Sequence, residues 1–247
     1  MKKLIKTTIL IIIAIVLTVG IYVWASGYLF YKQTIKNKSL ADKINEIRQS
    51  ESFVSIDEIP ENYKNAVIAV EDHRFEEHGA VDVVAIVRAL TSNVKNKDLV
   101  EGGSTITQQV VKNLYFMNDE NKRDSLDRKV AEIIIGIELE KNYSKNEIFE
   151  LYANNIYFGD GYYNLRDAAK GYFNKEPSEL NLYECTLLAG IPNAPSVYSP
   201  NVNPELSKKR QSKVLKSMVK YGYLTQEEAD NVDLNEYYNS HKNDLKK

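Results

Sequence analysis

A single cysteine, Cys185, among 247 residues excludes an internal disulfide, a thiolate metal cluster and a CxxC redox pair. Three histidines, His73, His78 and His241, leave little material for a zinc site. Six prolines and 11 glycines exclude collagen-like and low-complexity chains. No sign of charge dominates: 32 Lys+Arg stand against 34 Asp+Glu, so the basic surplus of a nucleic-acid binder is missing. With 43% hydrophobic residues the composition is also not that of a disordered chain. The length suits one ordinary domain with attachments.

One long uncharged run is present. From Thr7 to Tyr31 no residue is charged and most are Ile, Leu, Val, Ala or aromatic, enough to span a bilayer's hydrocarbon core as a helix. Lys2, Lys3 and Lys6 precede it, and Trp24, Tyr28 and Tyr31 fall where an interfacial aromatic belt would lie. This pattern predicts an inside N-terminus (1–6), a transmembrane helix (7–31) and an extracytoplasmic remainder, although Lys32, Lys36 and Lys38 oppose the charge bias. A cleaved signal peptide ending near Val23-Trp24-Ala25 is the rival; the run continues past that point, which favours a retained anchor.

The remainder reads as helices. Residues 32–52 form a polar, lysine-rich stalk, helical or loose. Pro60 opens a helix ending near Glu71-Asp72, and another covers about 82–95. Thr105 with Gln108 has capping-box spacing. Val130, Ile133, Ile134 and Ile137 follow the i, i+3, i+4, i+7 rule on a helix of about 127–141. Ser144 with Glu147 starts the next, and further helices are expected at 164–174, 181–190, 204–221 and 226–232. No alternating strand pattern or internal repeat interrupts 53–235, and 236–247 is a polar tail. The expected fold is mainly α, one domain behind a membrane anchor.

Three stretches are out of character for plain helix-building. Glu71-Asp72-His73-Arg74-Phe75-Glu76-Glu77-His78 continues an apolar helix, so a carboxylate there can be desolvated and serve as a general base. The plain alternative is a charged helix end with a packing histidine. His73 and His78, at i, i+5, do not align on one helix face as metal ligands would. Gly102-Gly103-Ser104-Thr105-Ile106-Thr107-Gln108-Gln109-Val110-Val111-Lys112 allows close backbone approach before a helix N-terminus that suits phosphate or sugar oxygens; a capped helix with an amide-rich face is equally consistent. It lacks the spacing of a nucleotide P-loop. Arg128-Lys129-Val130-Ala131-Glu132 puts a carboxylate into an apolar stretch beside two cations, either a simple i, i+4 pair or a cradle for a diphosphate next to a sugar. Together with the anchor, these stretches suggest glycosyl chemistry on a lipid diphosphate.

In this order and spacing the three stretches resemble the motifs of the bacterial peptidoglycan glycosyltransferases, glycosyltransferase family 51. Later segments are similar as well: Glu147-Ile148 through Asn154-Asn155-Ile156-Tyr157-Phe158-Gly159, Ala168-Ala169 with Tyr172-Phe173, and Leu187-Leu188-Ala189-Gly190-Ile191-Pro192-Asn193-Ala194-Pro195-Ser196-Val197-Tyr198. Asn164 stands where many members carry Gly, a change that a left-handed backbone would tolerate. The resemblance covers about 53–235 and implies a lysozyme-like domain with head and jaw lobes. With the chain ending soon after, the expectation is a monofunctional transglycosylase without a transpeptidase domain.

The resemblance also implies roles. The growing glycan, linked to undecaprenyl diphosphate, would be transferred to the 4-hydroxyl of lipid II with inversion, giving β-1,4 linkages in cell-wall synthesis. Glu71 would be the general base and Glu132 the second acidic catalytic residue. Lys112 would hold the donor diphosphate with Arg128 and Lys129 nearby, and Arg74, Ser104, Thr105, Gln108 and Gln109 would line the cleft. Lys122 or Arg123 would fill the family's further cation position. No cofactor is required and the sequence has no dedicated metal site, though a divalent Mg or Mn could assist the diphosphate. Expected partners are lipid II, the lipid-linked glycan and the bilayer; other cell-wall synthesis or division proteins are admissible, nucleic acid is not. The rivals are a lytic glycan-cleaving enzyme of the same fold, disfavoured by the cations, and a catalytically silent membrane-anchored scaffold, disfavoured by the presence of Glu71, Lys112 and Glu132.

Overall fold

The computed structural model of the chain describes residues 2–96, 103–117 and 125–240. Among the described residues every regular element is helical, as the lack of alternating runs predicts. The order is α1 (Lys2–Asn37), α2 (Leu40–Arg48), α3 (Glu61–Glu71), α4 (Val83–Asn96), α5 (Ile106–Tyr115), α6 (Leu126–Asn142), α7 (Lys145–Ala153), α8 (Leu165–Phe173), α9 (Leu182–Gly190), α10 (Pro195–Tyr198), α11 (Pro204–Lys220), α12 (Gln226–Asp230) and α13 (Glu236–Ser240).

The apolar run forms the lower part of α1. Ile9, Ile12, Leu17 and Ile21 are exposed along it, a disposition that water disfavours and a bilayer stabilises. Without a breaker after Tyr31, α1 continues to Asn37. The segment read as a stalk holds the end of α1 and all of α2 and joins the domain: Ser39 and Asp42 cap α2 reciprocally, and Leu40 and Ile44 are buried in the main core.

The upper part of α1 lies along α6. Gly27 is buried there, and a Cβ at this position would collide with Val130 of α6. Phe30 stacks on Phe116 at 5.9 Å between ring centroids, and the Tyr31 hydroxyl donates to Glu138 at 3.4 Å. The upper part of α1 is therefore packed onto the helix that carries Arg128, Lys129 and Glu132. Gly27→Val should force α1 off α6 and lower the melting temperature of the full chain in detergent, at an overpacking cost of about 1–3 kcal/mol. Gly20→Val, where nothing lies within 4 Å of the added carbon, should leave it unchanged. Equal melting of the two variants would show that the contact carries no stability.

The core gathers around α9, which is buried on all sides from Tyr183 to Gly190, the pattern of a central helix. α3 and α11 pack on it, and α5 sits between α6 and α7. Burial in this core pushes the Cys185 thiol up to about 12, so it stays protonated and unreactive at neutral pH.

Caps explain most of the helix starts. Ser144 with Glu147 and Thr225 with Glu228 form full capping boxes. The Thr105–Gln108 pair forms only half of one: Thr105 accepts from the Gln108 backbone N–H, whereas the Gln108 side-chain amide donates to the Ala80 carbonyl at 2.9 Å. Asn164 is not in the left-handed region. Its φ of −156° is extended, and its side chain caps α8 by accepting from the Asp167 N–H, which glycine could not do. The start of the C-terminal segment is held as well: Tyr237 of α13 is buried, its N–H donating to the Tyr183 hydroxyl at 3.0 Å.

Candidate functional site

A cleft of about 480 Å³ opens between the end of α3, the start of α5, the turn at Pro192-Asn193 and one face of α11. Glu71, the last residue of α3, lies in its wall with a side chain only 10% exposed. One carboxylate oxygen accepts from Arg210 Nη2 at 2.6 Å and the other from Gln109 Nε2 at 3.0 Å. Arg210 is itself fixed by donating from Nε to the Gly190 carbonyl at 3.1 Å. A Cβ on Gly190 would come within 3.0 Å of the Arg210 Cγ, so the glycine makes room for the arginine stem. Each Glu71 oxygen keeps a lone pair beyond the bond it accepts.

The second carboxylate is held by cations from its own helix. Glu132 is buried, with Arg128 Nε 3.0 Å from one oxygen and Lys129 Nζ 3.2 Å from the other. The Lys129 ammonium also donates to Ser104 Oγ at 3.1 Å and Gln108 Oε1 at 2.8 Å, which uses all three of its donors. Lys112 is placed differently. It reaches the cleft and, among the described residues, forms no ion pair or hydrogen bond. Desolvation between the cleft walls lowers its pKa, Arg128 and Lys129 push the same way, and Glu132 and Glu71 oppose them. A desolvated ammonium facing a cleft is suited to take an anion.

The residues singled out from the sequence thus divide. Glu71, Ser104, Gln109 and Lys112 line the cleft, and Lys129 and Glu132 join it through Ser104. Thr105 and Gln108 do not line it: both are buried and tie the start of α5 to the Ala80 carbonyl. Arg74 pairs with Glu77 at 3.1 Å and Asp82 at 3.7 Å rather than with Glu71. Gly102, Lys122 and Arg123 lie outside the described residues.

Sequence reasoning missed the contribution of α11. Arg210, Lys213, Ser217 and Lys220 all face the cleft. Their i, i+3, i+7, i+10 spacing, a single helical face, was the available signal. His73 stacks on Tyr221 at 4.2 Å and accepts from Arg88 at 3.0 Å. Burial lowers its pKa, and Arg88 and Lys220 add to the effect, which favours the neutral ring.

Asp72, His78 and Asp82 bring ligand atoms within 4.8 Å of one another, yet their bonding does not fit a metal. His78 faces acceptors on both ring nitrogens, Asp72 at 2.7 Å and the Gly79 carbonyl at 2.6 Å, so both must donate and the ring is an imidazolium. Asp72 also accepts from the Ile106 N–H, and Asp82 from the Ala85 N–H, with Arg74 nearby. The trio is a hydrogen-bonded knot tying the segment after α3 to the start of α5. Burial opposes the His78 charge, but the bonds to Asp72 and Gly79 prevail and raise its pKa above 6.5. The folded state therefore binds the proton more tightly than the unfolded one. The stability margin over His78→Gln should be full below that unfolded value and shrink as pH rises through the raised pKa. Melting of both proteins across pH checks this; a margin that grows with pH would contradict it.

A helical domain with two held carboxylates and a cationic cleft, behind one long apolar helix, defines a class: a protein with a preorganised site for an anionic ligand. Comparison with known proteins narrows it. Residues 37–219 match the family model described as Transglycosylase, and the chain belongs to that family. It is 44% identical over 182 residues to penicillin-binding protein 1A of Aquifex aeolicus, covering 74% of this chain and 24% of that one. It is 39% identical over 189 residues to a putative transglycosylase of Cupriavidus necator, covering 76% of this chain and 80% of that protein. A crystal structure of penicillin-binding protein 1A from Haemophilus influenzae aligns with 39% identity over 39% of this chain and 14% of that chain, at a TM-score of 0.36. The chain spans about a quarter of the length of the penicillin-binding relatives it matches.

Proposed function

We propose that the protein is a peptidoglycan glycosyltransferase that polymerises glycan strands from lipid II at the membrane. The observation carrying this reading is Glu71, fixed by Arg210 and Gln109 in the wall of a cleft into which Lys112 brings an ammonium that has no partner among the described residues. In the proposed reaction Glu71 takes the proton of the acceptor's 4-hydroxyl. That oxygen attacks the anomeric carbon of the lipid-linked strand, and the C–O bond to undecaprenyl diphosphate breaks with its electron pair leaving on the diphosphate. One displacement turns the α-linked donor into a β-1,4 glycoside. Lys112 meets the growing negative charge of the leaving group, with Lys129 and Arg128 behind it. Glu132 keeps those two cations in place. No residue here needs a metal to do this, and a divalent ion would act only on the diphosphate itself.

The placement of α1 supports the bilayer as the place of reaction, because substrate and enzyme are then confined to the same surface. The catalytic domain would lie on the extracytoplasmic face, where lipid II is consumed. Purified full-length protein incubated with lipid II should yield long glycan strands. Shortening of preformed glycan would favour the lytic alternative, and absence of any turnover under conditions where a known polymerase works would favour the scaffold.

A further inference from the structure

A second pocket, of about 440 Å³, opens on the membrane side of the domain, where α1 leaves its apolar run. Phe30 and Thr34 of α1, Lys38 in the turn after it, Lys43 of α2, and Tyr115 and Phe116 at the end of α5 line it. The Ser39 cap turns the chain back between α1 and α2, which brings two lysines to one rim. Lys38 pairs with Glu46, and its carbonyl accepts from the Tyr115 hydroxyl at 3.2 Å. Lys43 lies over the Tyr115 ring, 5.6 Å from its centroid, and among the described residues no carboxylate pairs with it. Burial lowers the Lys43 pKa, and the charge of Lys38 lowers it further. The Lys43 ammonium, half-buried on this rim over the Tyr115 ring, carries a desolvation cost that a bound anion would relieve.

The height of the pocket decides which anion. Tyr31 ends the uncharged run, Thr34 lies about 4.5 Å further along the helix axis, and Lys38 follows the end of α1. That is the depth of the headgroup layer, which adds about 5–7 Å to each side of the hydrocarbon core. The stacked Phe30–Phe116 pair forms the apolar floor, and the cations stand above it. We propose that this pocket binds the phosphate headgroup of an anionic bilayer phospholipid, with Lys43 as its principal cation and the two phenylalanines under the glycerol and first acyl carbons. Lipid bound there would brace α1, α2 and the end of α5 against one another at a set height above the bilayer. The inference rests on α1 crossing a membrane, and it stands or falls independently of the transferase reading.

The test uses the full chain in nanodiscs of phosphatidylcholine alone or mixed with phosphatidylglycerol, with retained lipid counted by native mass spectrometry. The wild type should retain one phosphatidylglycerol several-fold more often than phosphatidylcholine. Lys43→Gln should lose that preference. Lys36→Gln, which changes an exposed lysine of α1 outside the pocket, should keep it. Thr34→Trp, which fills the pocket and leaves both lysines in place, should also expel the lipid. Melting temperatures of all variants establish that the fold is intact. Equal retention of the two lipids, equal losses in Lys36→Gln and Lys43→Gln, or undiminished retention in both pocket variants would overturn the proposal. So would a Lys43-dependent thermal shift by inorganic phosphate as large as that by phosphatidylglycerol, since it would mark a site for free anions instead.

Discussion

Glu71→Gln should abolish polymerisation of lipid II to within about 10²–10⁴-fold below wild type, the range for a positioned acid–base group. The substitution preserves size while removing the negative charge and the ability to take a proton. Its structural cost is limited by the neighbours the side chain already has. A glutamine oxygen can still accept from Arg210, which is held independently by the Gly190 carbonyl. Gln109 can present either end of its amide to the new side chain. A buried guanidinium facing a neutral partner is less favourable than one facing a carboxylate, so a modest fall in melting temperature is expected. Retained binding of lipid II then separates loss of the base from loss of the site. Near-normal turnover with an unchanged melting profile would remove Glu71 from the mechanism.

Lys112→Ala should lower turnover by about 10²-fold, the scale for losing one preorganised group that stabilises transition-state charge. Its effect on stability should have the opposite sign from that of a structural lysine. Because the folded protein disfavours the charge of Lys112, as its lowered pKa shows, removing it should leave the melting temperature unchanged or raised. Lys112→Arg should recover only part of the activity, since a planar fork does not reproduce a compact ammonium. A Lys112→Ala protein that melts early and turns over normally would reverse the assignment, making the side chain structural.

Local patterns carried much of the fold into view from sequence. The capped starts at Ser144 and Thr225 need only residues three apart, and both are present as expected. The apolar periodicity of Val130 to Ile137 likewise lies on one helix, α6. What was hidden depends on distance along the chain. The bond from Arg210 to Glu71 joins residues 139 positions apart, and nothing within α11 announces which carboxylate its cationic face will meet. Gln108 shows the same limit at short range. Its spacing from Thr105 reads as a capping box, yet a carbonyl 28 residues away competes for its amide and wins. Asn164 was read by its backbone tolerance, whereas its side chain is what the helix start uses. Gly27 had no reading at all, because its role is defined by Val130 across the α1–α6 contact.

The chemistry is tested most directly by the products of the purified full-length protein acting on lipid II, with linkage configuration and released lipid measured together. A single displacement with Glu71 as base predicts lysozyme-sensitive β-1,4 glycan, one undecaprenyl diphosphate released for each bond formed, and no sugar covalently attached to the enzyme at any time. A glycosyl adduct on Glu71 or Glu132, or glycan formed with retention of the α configuration, would contradict the account.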